Sequence, residues 1–267
     1  DNFPSVPTCF FIDGLGGAGK TFLYNTLLSK IRSTRGGIAI AVAGSGIAAL
    51  LLEGGRTAHS RFQIPINNLD SNSTCFITKQ SKEAQLILAC DLIIWDEAPM
   101  HNRSTFEAVD KTLQDLTGIN KAFGGKVIVM GGDFRQVLPI IPHGNRAEIV
   151  SSALNQSSFW PHVSILKLHL NMRVQLLLHS GDSEAADRQA NFASWLQRIG
   201  EGTEQSFPVH GENMIRIPDE QCIGCKENED IATLIKKVYG EIHSIHTTTD
   251  RTNYIVERAI VTPLNKD

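Results

Sequence analysis

Residues 9–21 read Cys9-Phe-Phe-Ile-Asp-Gly14-Leu-Gly-Gly-Ala-Gly19-Lys20-Thr21, an apolar run that breaks into glycines and then opens a helical pattern lasting to Arg32. From Gly14 to Thr21 the sequence fits G-x-x-x-x-G-K-[ST], in the strand–turn–helix setting that this phosphate-binding pattern requires. Glycines let consecutive backbone N–H groups turn inward around phosphate oxygens, where a side chain would clash. The helix N-terminus adds its partial positive charge. Lys20 is placed to reach β- and γ-phosphates, and Thr21 to give its hydroxyl oxygen to Mg²⁺. Gly14, Gly16, Gly17, Ala18, Gly19, Lys20, Thr21 and Phe22 are the candidate nucleotide-binding residues. A glycine-rich turn ahead of a lysine-initiated helix is the competing reading, and it leaves the full spacing unexplained.

Four more apolar runs predict strands: Ile38-Ala-Ile-Ala-Val42, Leu92-Ile-Ile-Trp95, residues 127–130 and residues 163–168. Apolar strands that alternate with helical stretches indicate an α/β fold, with a mainly parallel sheet covered by helices on both faces. Ligands of such sheets sit outside the carboxyl ends of the strands, where the first four runs end in polar or glycine-rich turns. Residues 63–81 are polar and aperiodic, an excursion from the sheet. Residues 175–230 are polar again, with one helix predicted over about 187–199. Neither an internal repeat nor a low-complexity segment is present.

The third run ends in Asp96-Glu97. Asp96 suits direct or outer-sphere Mg²⁺ binding, and Glu97 can orient and deprotonate an attacking water. Alone, such a pair is more often a turn or a helix cap. With the cradle in the same chain it reads as a hydrolytic site, and the glutamate favours hydrolysis over transfer to a second substrate. The fourth run leads into Gly131-Gly-Asp-Phe-Arg-Gln-Val-Leu-Pro-Ile-Ile141, which sets a carboxylate, a guanidinium and an amide at a strand's mouth.

The chain has 267 residues, 42% hydrophobic, with a formal net charge of −3. These values suit one large or two small globular domains and argue against a uniformly basic surface, while leaving room for a local basic groove. No apolar run reaches the length of a membrane span, and the first residues lack the layout of a signal peptide. Cys9, Cys75, Cys90, Cys222 and Cys225 are odd in number and scattered, which reads as a reducing compartment without a disulfide frame. Both ends read as cut: a strand opens soon after Asp1, and Arg258-Ala-Ile-Val-Thr-Pro-Leu-Asn265 reads as one more strand and turn.

Five stretches occur in order: residues 14–21, AVAGSGIAALLLEGGRTAHSRF (41–62), WDEAPM (95–100), GGDFRQVLPII (131–141) and HLNMR (169–173). Together they resemble the petite-integration-frequency type of 5′-to-3′ DNA helicase of superfamily one, over nearly the whole chain. WDEAPM and LNMR are most similar to its Helitron-like branch. The resemblance implies a RecA-like P-loop domain over residues 1–175, with a small 1B-like insertion at about 63–81 that includes Lys79. Residues 176–267 would hold a connecting helical region and the incomplete start of a second RecA-like domain. It implies ATP and Mg²⁺ as cofactors, and hydrolysis coupled to movement on single-stranded DNA and to unwinding of duplex or forked DNA. By resemblance Gln136 contacts the γ-phosphate and links it to the DNA site, and Arg173 reaches the γ-phosphate from the same domain. Without the resemblance, Arg173 reads as a surface salt bridge at a strand end. Asp133 is taken to cap its turn and Arg135 to form a structural ion pair.

DNA contact is assigned to Ser45, at a helix start, and to Thr57, His59, Ser60 and Phe62. A helix cap, a turn histidine and a core aromatic are the equally weighted structural alternatives. A monomer without membrane association is expected, nuclear or mitochondrial in a eukaryote and cytoplasmic otherwise. The family's adenine-reading motif would precede Asp1, and the second motor domain would follow Asp267. Alternatives are another P-loop NTPase, such as a nucleotide kinase or clamp loader, or a nucleotide-binding module without turnover. Cys222, Cys225, His243 and His246 contain the residue types of a zinc site, but the spacings miss the usual ranges and the intervening stretch reads as an amphipathic helix, so zinc is not assigned.

Overall fold

A computed structural model describes residues 7–66, 69–70, 72–207, 214–222 and 230–261. The chain divides into two compact units, Asp1–Thr203 and Glu204–Asp267. The first is an α/β unit around a six-stranded sheet. Its strands are β1 (Cys9–Gly14), β2 (Ala39–Ala43), β3 (Arg56–Thr57), β4 (Leu92–Asp96), β5 (Val127–Gly132) and β6 (Val163–Leu168), in the spatial order β3-β2-β4-β5-β1-β6. Every pairing is parallel, so all six carboxyl ends lie along one edge. The strand expected from residues 163–168 is present with those bounds, and the two-residue β3 is an addition that its length hides from periodicity.

Successive side chains of a strand point to opposite faces. In the inner strands both faces are buried. Ile40, Val42, Ile93, Trp95, Ile128 and Met130 join one cluster, with Phe106, Val109 and Leu113 of the helix α5 (Arg103–Thr117). Ala39, Ala41, Ala43, Leu92, Ile94 and Val129 join the other, with Tyr24 and Leu28 of the helix α1 (Lys20–Arg32). The alanines of β2 leave room for that helix to lie close. Trp95 is fully buried between Phe62, stacked 5.6 Å away, and Phe106 at 4.3 Å.

The described part of residues 63–81 contains no helix or strand, yet it is anchored. Ile64 and Cys75 are buried in the core, and the Cys75 backbone N–H donates to Thr112 Oγ1 at 2.9 Å. The helix expected over about 187–199 spans Ser183–Glu201, capped by Asp182. In the second unit a helix over Asp230–Tyr239 and another over Thr248–Val256 are tied by Tyr254 Oη donating to the Val238 carbonyl at 3.1 Å. The strand expected after Arg258 is not formed over residues 258–261, and its remainder lies outside the described residues, as does Cys225 of the cysteine–histidine set. No helix among the described residues is long and apolar enough to cross a membrane.

Tyr24 is fully buried, and its hydroxyl has no hydrogen-bond partner among the described residues. A buried hydroxyl without a partner costs about 1–3 kcal/mol. Tyr24→Phe should therefore raise the unfolding free energy by about 1 kcal/mol, read as a higher urea midpoint at unchanged slope; a lower midpoint would show that the hydroxyl is held.

Candidate functional site

The turns at the sheet's carboxyl edge gather the sequence motifs. Gly14 ends β1, and the loop closes onto α1 through Ala18 N–H donating to the Leu15 carbonyl at 3.1 Å. Gly19 sits at φ 89° as the N-terminal flank of α1 and Gly17 at φ 86°, a left-handed backbone that L side chains rarely adopt. A Cβ on Gly17 would also meet Asn171 Oδ1 at 2.9 Å. Lys20 curls over the loop, its Nζ donating to the carbonyls of Gly14 at 2.6 Å and Leu15 at 3.3 Å. Thr21 and Phe22 follow in the first turn of α1, Thr21 half-buried and Phe22 79% exposed.

Asp96 ends β4 at 4% exposure, and its Oδ1 accepts the Glu97 backbone N–H at 2.8 Å. Burial raises its pKa to about 6; the Glu97 N–H and the Lys20 charge act against the rise, and the Glu97 charge adds to it. Glu97 adopts φ 50°, ψ 39°, a strained conformation for a residue with a side chain. The neighbouring turn is tied in by Gly44 N–H donating to the Asp96 carbonyl at 3.0 Å.

After β5, Asp133 is likewise 4% exposed. It caps its own turn: Oδ1 accepts the Arg135 backbone N–H at 3.1 Å and Nε at 2.6 Å, and Oδ2 accepts Gln136 Nε2 at 3.2 Å. The guanidinium of Arg135 also pairs with Asp13 at 3.0 Å and reaches Glu201 at 3.7 Å. Gln136 lies over the glycine loop, its Nε2 3.5 Å from where a Gly16 Cβ would stand. The residues after β6 come to the same loop. Met172 N–H donates to the Gly17 carbonyl at 2.9 Å, and the Arg173 stem lies 3.1 Å from where a Gly17 Cβ would stand. Arg173 sits in the first turn of the helix α7 (Met172–His179), capped by Asn171, and not at a strand end. A cavity of about 370 Å³ opens beside the loop, lined by Gly16, Gln136 and Arg173 on one side and by Phe192, Leu196 and Ile199 on the other.

At the β3 end of the edge, Ser45 and Thr57 act as helix caps, their hydroxyl oxygens accepting the N–H groups of Ala48 at 3.2 Å and Ser60 at 3.4 Å. Ser60 is exposed, and His59 packs against His101 at 5.2 Å with its pKa lowered by burial. Phe62 corrects the expectation of a base-stacking role: it is fully buried against Trp95, so its ring cannot meet a base without opening the core. In a five-residue helix the pattern is too short to say which face an aromatic takes. Glu201 and Tyr24 were not legible as parts of this edge, because nothing local marks them, and Asp13, visible at the end of the first apolar run, carried no sign of its pairing with Arg135.

A parallel sheet whose strand ends carry a glycine cradle, its lysine and a buried carboxylate defines a P-loop nucleotide-binding domain of the RecA-like class. Thr21 and Asp96 supply hard oxygen donors of the kind Mg²⁺ takes. The chain belongs to the PIF1-like helicase family, whose model matches residues 3–208. It is 31% identical over 169 residues to the ATP-dependent DNA helicase Pif1 of Campylobacter jejuni, covering 60% of this chain and 36% of that relative. A crystal structure of Bacteroides Pif1 bound to single-stranded DNA is 27% identical with a TM-score of 0.50, covering 62% of this chain and 39% of that one. A further Bacteroides Pif1 structure, in complex with ADP-AlF3 and single-stranded DNA, has a TM-score of 0.59 over 90% of this chain and 54% of that one, at 19% identity, and shows the shared fold. The chain thus spans well under half the length of the Campylobacter relative.

The raised pKa of Asp96 has a testable sign. The folded state favours its neutral form, so its stabilising contribution is present below the ordinary carboxylate value and is lost as pH rises through about 6. Without divalent metal, Asp96→Asn should stabilise the chain by ~3 kcal/mol near pH 8 and by about half as much near pH 5. Thermal melts with a chelator at both pH values check this, and an equal difference at both would contradict it.

Proposed function

We propose that this chain is the ATP-binding and hydrolysing motor part of a DNA helicase that moves 5′-to-3′ on single-stranded DNA and opens duplex or forked DNA. The observation that carries the reading is the meeting of Gln136 and Arg173 on the glycine loop, at the edge that also bears Asp96 and Glu97. Many P-loop proteins have the loop and the acidic pair; the glutamine and arginine are what distinguish a motor. The family membership and the name of the Campylobacter relative, an ATP-dependent DNA helicase, support it. The Bacteroides relative bound to single-stranded DNA supports the DNA partner.

In this reading the loop amides and Lys20 bind the β- and γ-phosphates. A magnesium ion held by Thr21 and Asp96 would draw charge off the phosphate oxygens. Glu97 orients the attacking water and takes its proton. Gln136 contacts the γ-phosphate, and Arg173 neutralises the charge that builds on the transferred group. Ser45, Thr57, His59 and Ser60 form the DNA side, through hydroxyls and backbone N–H groups rather than through Phe62. We assign residues 1–175 to the first RecA-like domain, about 63–81 to a 1B-like insertion, and 176–267 to the connection and the start of a second domain. WDEAPM and LNMR place the chain, in our reading, on the Helitron-like branch, as a monomer.

Glu97→Gln in the whole helicase should lower ATP turnover stimulated by single-stranded DNA by about 10²–10⁴-fold while nucleotide still binds. Steady-state hydrolysis together with fluorescent-nucleotide titration measures both. Unchanged turnover would remove Glu97 from the role of base.

A further inference from the structure

The guanidinium of Arg135 is surrounded by three carboxylates from three elements. Asp13 closes β1 just before the glycine loop, Asp133 opens the turn that bears Gln136, and Glu201 ends the helix α8 (Ser183–Glu201). The contacts are unequal. Nε meets Asp133 Oδ1 at 2.6 Å and one terminal nitrogen meets Asp13 at 3.0 Å, whereas Glu201 is 3.7 Å away and 40% exposed, so it contributes least. The other oxygen of Asp133 accepts the Gln136 amide. Arg135 is thus bonded to the oxygen partner of the very carboxylate that holds Gln136 over Gly16.

We propose that Arg135 is a positioning residue for Gln136: by fixing Asp133 against Asp13, it sets where the Gln136 amide stands beside the glycine loop, and α8 holds Arg135 in place from behind. The proposal rests on the γ-phosphate role given to Gln136 above. The backing by α8 is visible at Gly200, where an added Cβ would lie 2.8 Å from Arg135 Cβ and 3.4 Å from its Cγ. That approach has no room for a side chain, although alanine is otherwise favoured over glycine inside a helix. A lysine at position 135 would offer a compact, rotatable charge and not a rigid planar fork, and would fix Asp133 against Asp13 less firmly.

The experiment compares Arg135→Gln, Gln136→Ala, the double variant and Gly200→Ala in the whole helicase, each checked by thermal melting. Arg135→Gln should lower kcat for ATP by about 10-fold with KM within about 2-fold, the pattern of an interaction made in the transition state. Gln136→Ala should do the same, and the double variant should fall no further, because two residues acting through one group are non-additive. Gly200→Ala, which keeps every charge but crowds the Arg135 stem, should lower kcat in the same direction while the chain still melts cooperatively. Arg135→Gln/Asp13→Asn restores the charge balance; it should regain any lost stability but not kcat. Additive losses, recovery of kcat in the charge-balanced variant, or a wild-type kcat in Gly200→Ala would each overturn the positioning role. A wild-type helicase without DNA-stimulated hydrolysis would instead overturn the function on which it rests.

Discussion

Parallel pairing is the constraint from which the rest of the first unit follows. Because all six strands run the same way, each hands its chain to the same edge, and residues far apart in sequence become neighbours there. Asp13 stands in register with Gly132 and with Lys167, and Ala43 with Asp96. One reversed strand would carry its turn to the opposite edge and remove a motif from the site. Parallel sheets must cover both faces, which explains why the inner strands are apolar until their carboxyl ends. The alternation that fills the two clusters also aims the site. Asp96 lies two positions beyond Ile94 and four beyond Leu92, so its side chain takes their face, the face against which α1 packs. Lys20 and Tyr24 come from that helix: the Lys20 charge acts on Asp96, and the Asp96 charge in turn helps burial keep the Tyr24 hydroxyl protonated.

Two carboxylates at this edge are equally buried and differently treated. Asp133 is matched inside the protein by a guanidinium, a backbone N–H and an amide. Asp96 accepts the N–H of Glu97 and draws only on the more distant Lys20. A buried carboxylate so lightly compensated is costly in its charged form, which is why its pKa rises. A cation brought against it removes that cost, so the protein invests stability in a place where a divalent ion would return it. This asymmetry supports giving the metal to Asp96 and a structural part to Asp133, although sequence places both at the end of an apolar strand.

What the sequence made legible was local. The glycine spacing, the apolar runs and the acidic pair each declare themselves within a few residues, and the strands formed close to where the pattern put them. Contacts that depend on the fold left no such mark. Arg135 and Asp13 are 122 positions apart, and no periodicity links them. Gly200 looks like an indifferent helix glycine until the Arg135 stem is placed against it. Phe62 is open in the sequence for a related reason: one helical turn beside a histidine and a serine does not say whether its aromatic stacks outward or enters the core, and only the position of Trp95 decides for the core. The helix reaching Glu201 was legible in kind but shorter in expectation, and the missing last residues include Gly200 and Glu201, which meet Arg135.

The order of strands also bears on how two ligands could affect each other. The edge runs from Thr57 at β3, through Ser45 after β2, to Asp96 and Glu97 after β4, and only then to Gln136 and the glycine loop. In the proposed function, the DNA side and the phosphate side therefore flank the acidic pair. The link on one flank is a single hydrogen bond: Gly44, next to Ser45, donates its N–H to the carbonyl of Asp96, and that same peptide leads into Glu97 in its strained conformation. In the proposed function, a displacement of the Ser45 turn would reach Glu97 through that hydrogen bond. On the other flank, Arg135 and Asp133 hold Gln136 rigidly. In that function Glu97 stands between a hydrogen-bonded turn and an amide held by Asp133, in a left-handed conformation that costs energy to keep, so the residue given the water is also the one whose backbone depends most on its neighbours.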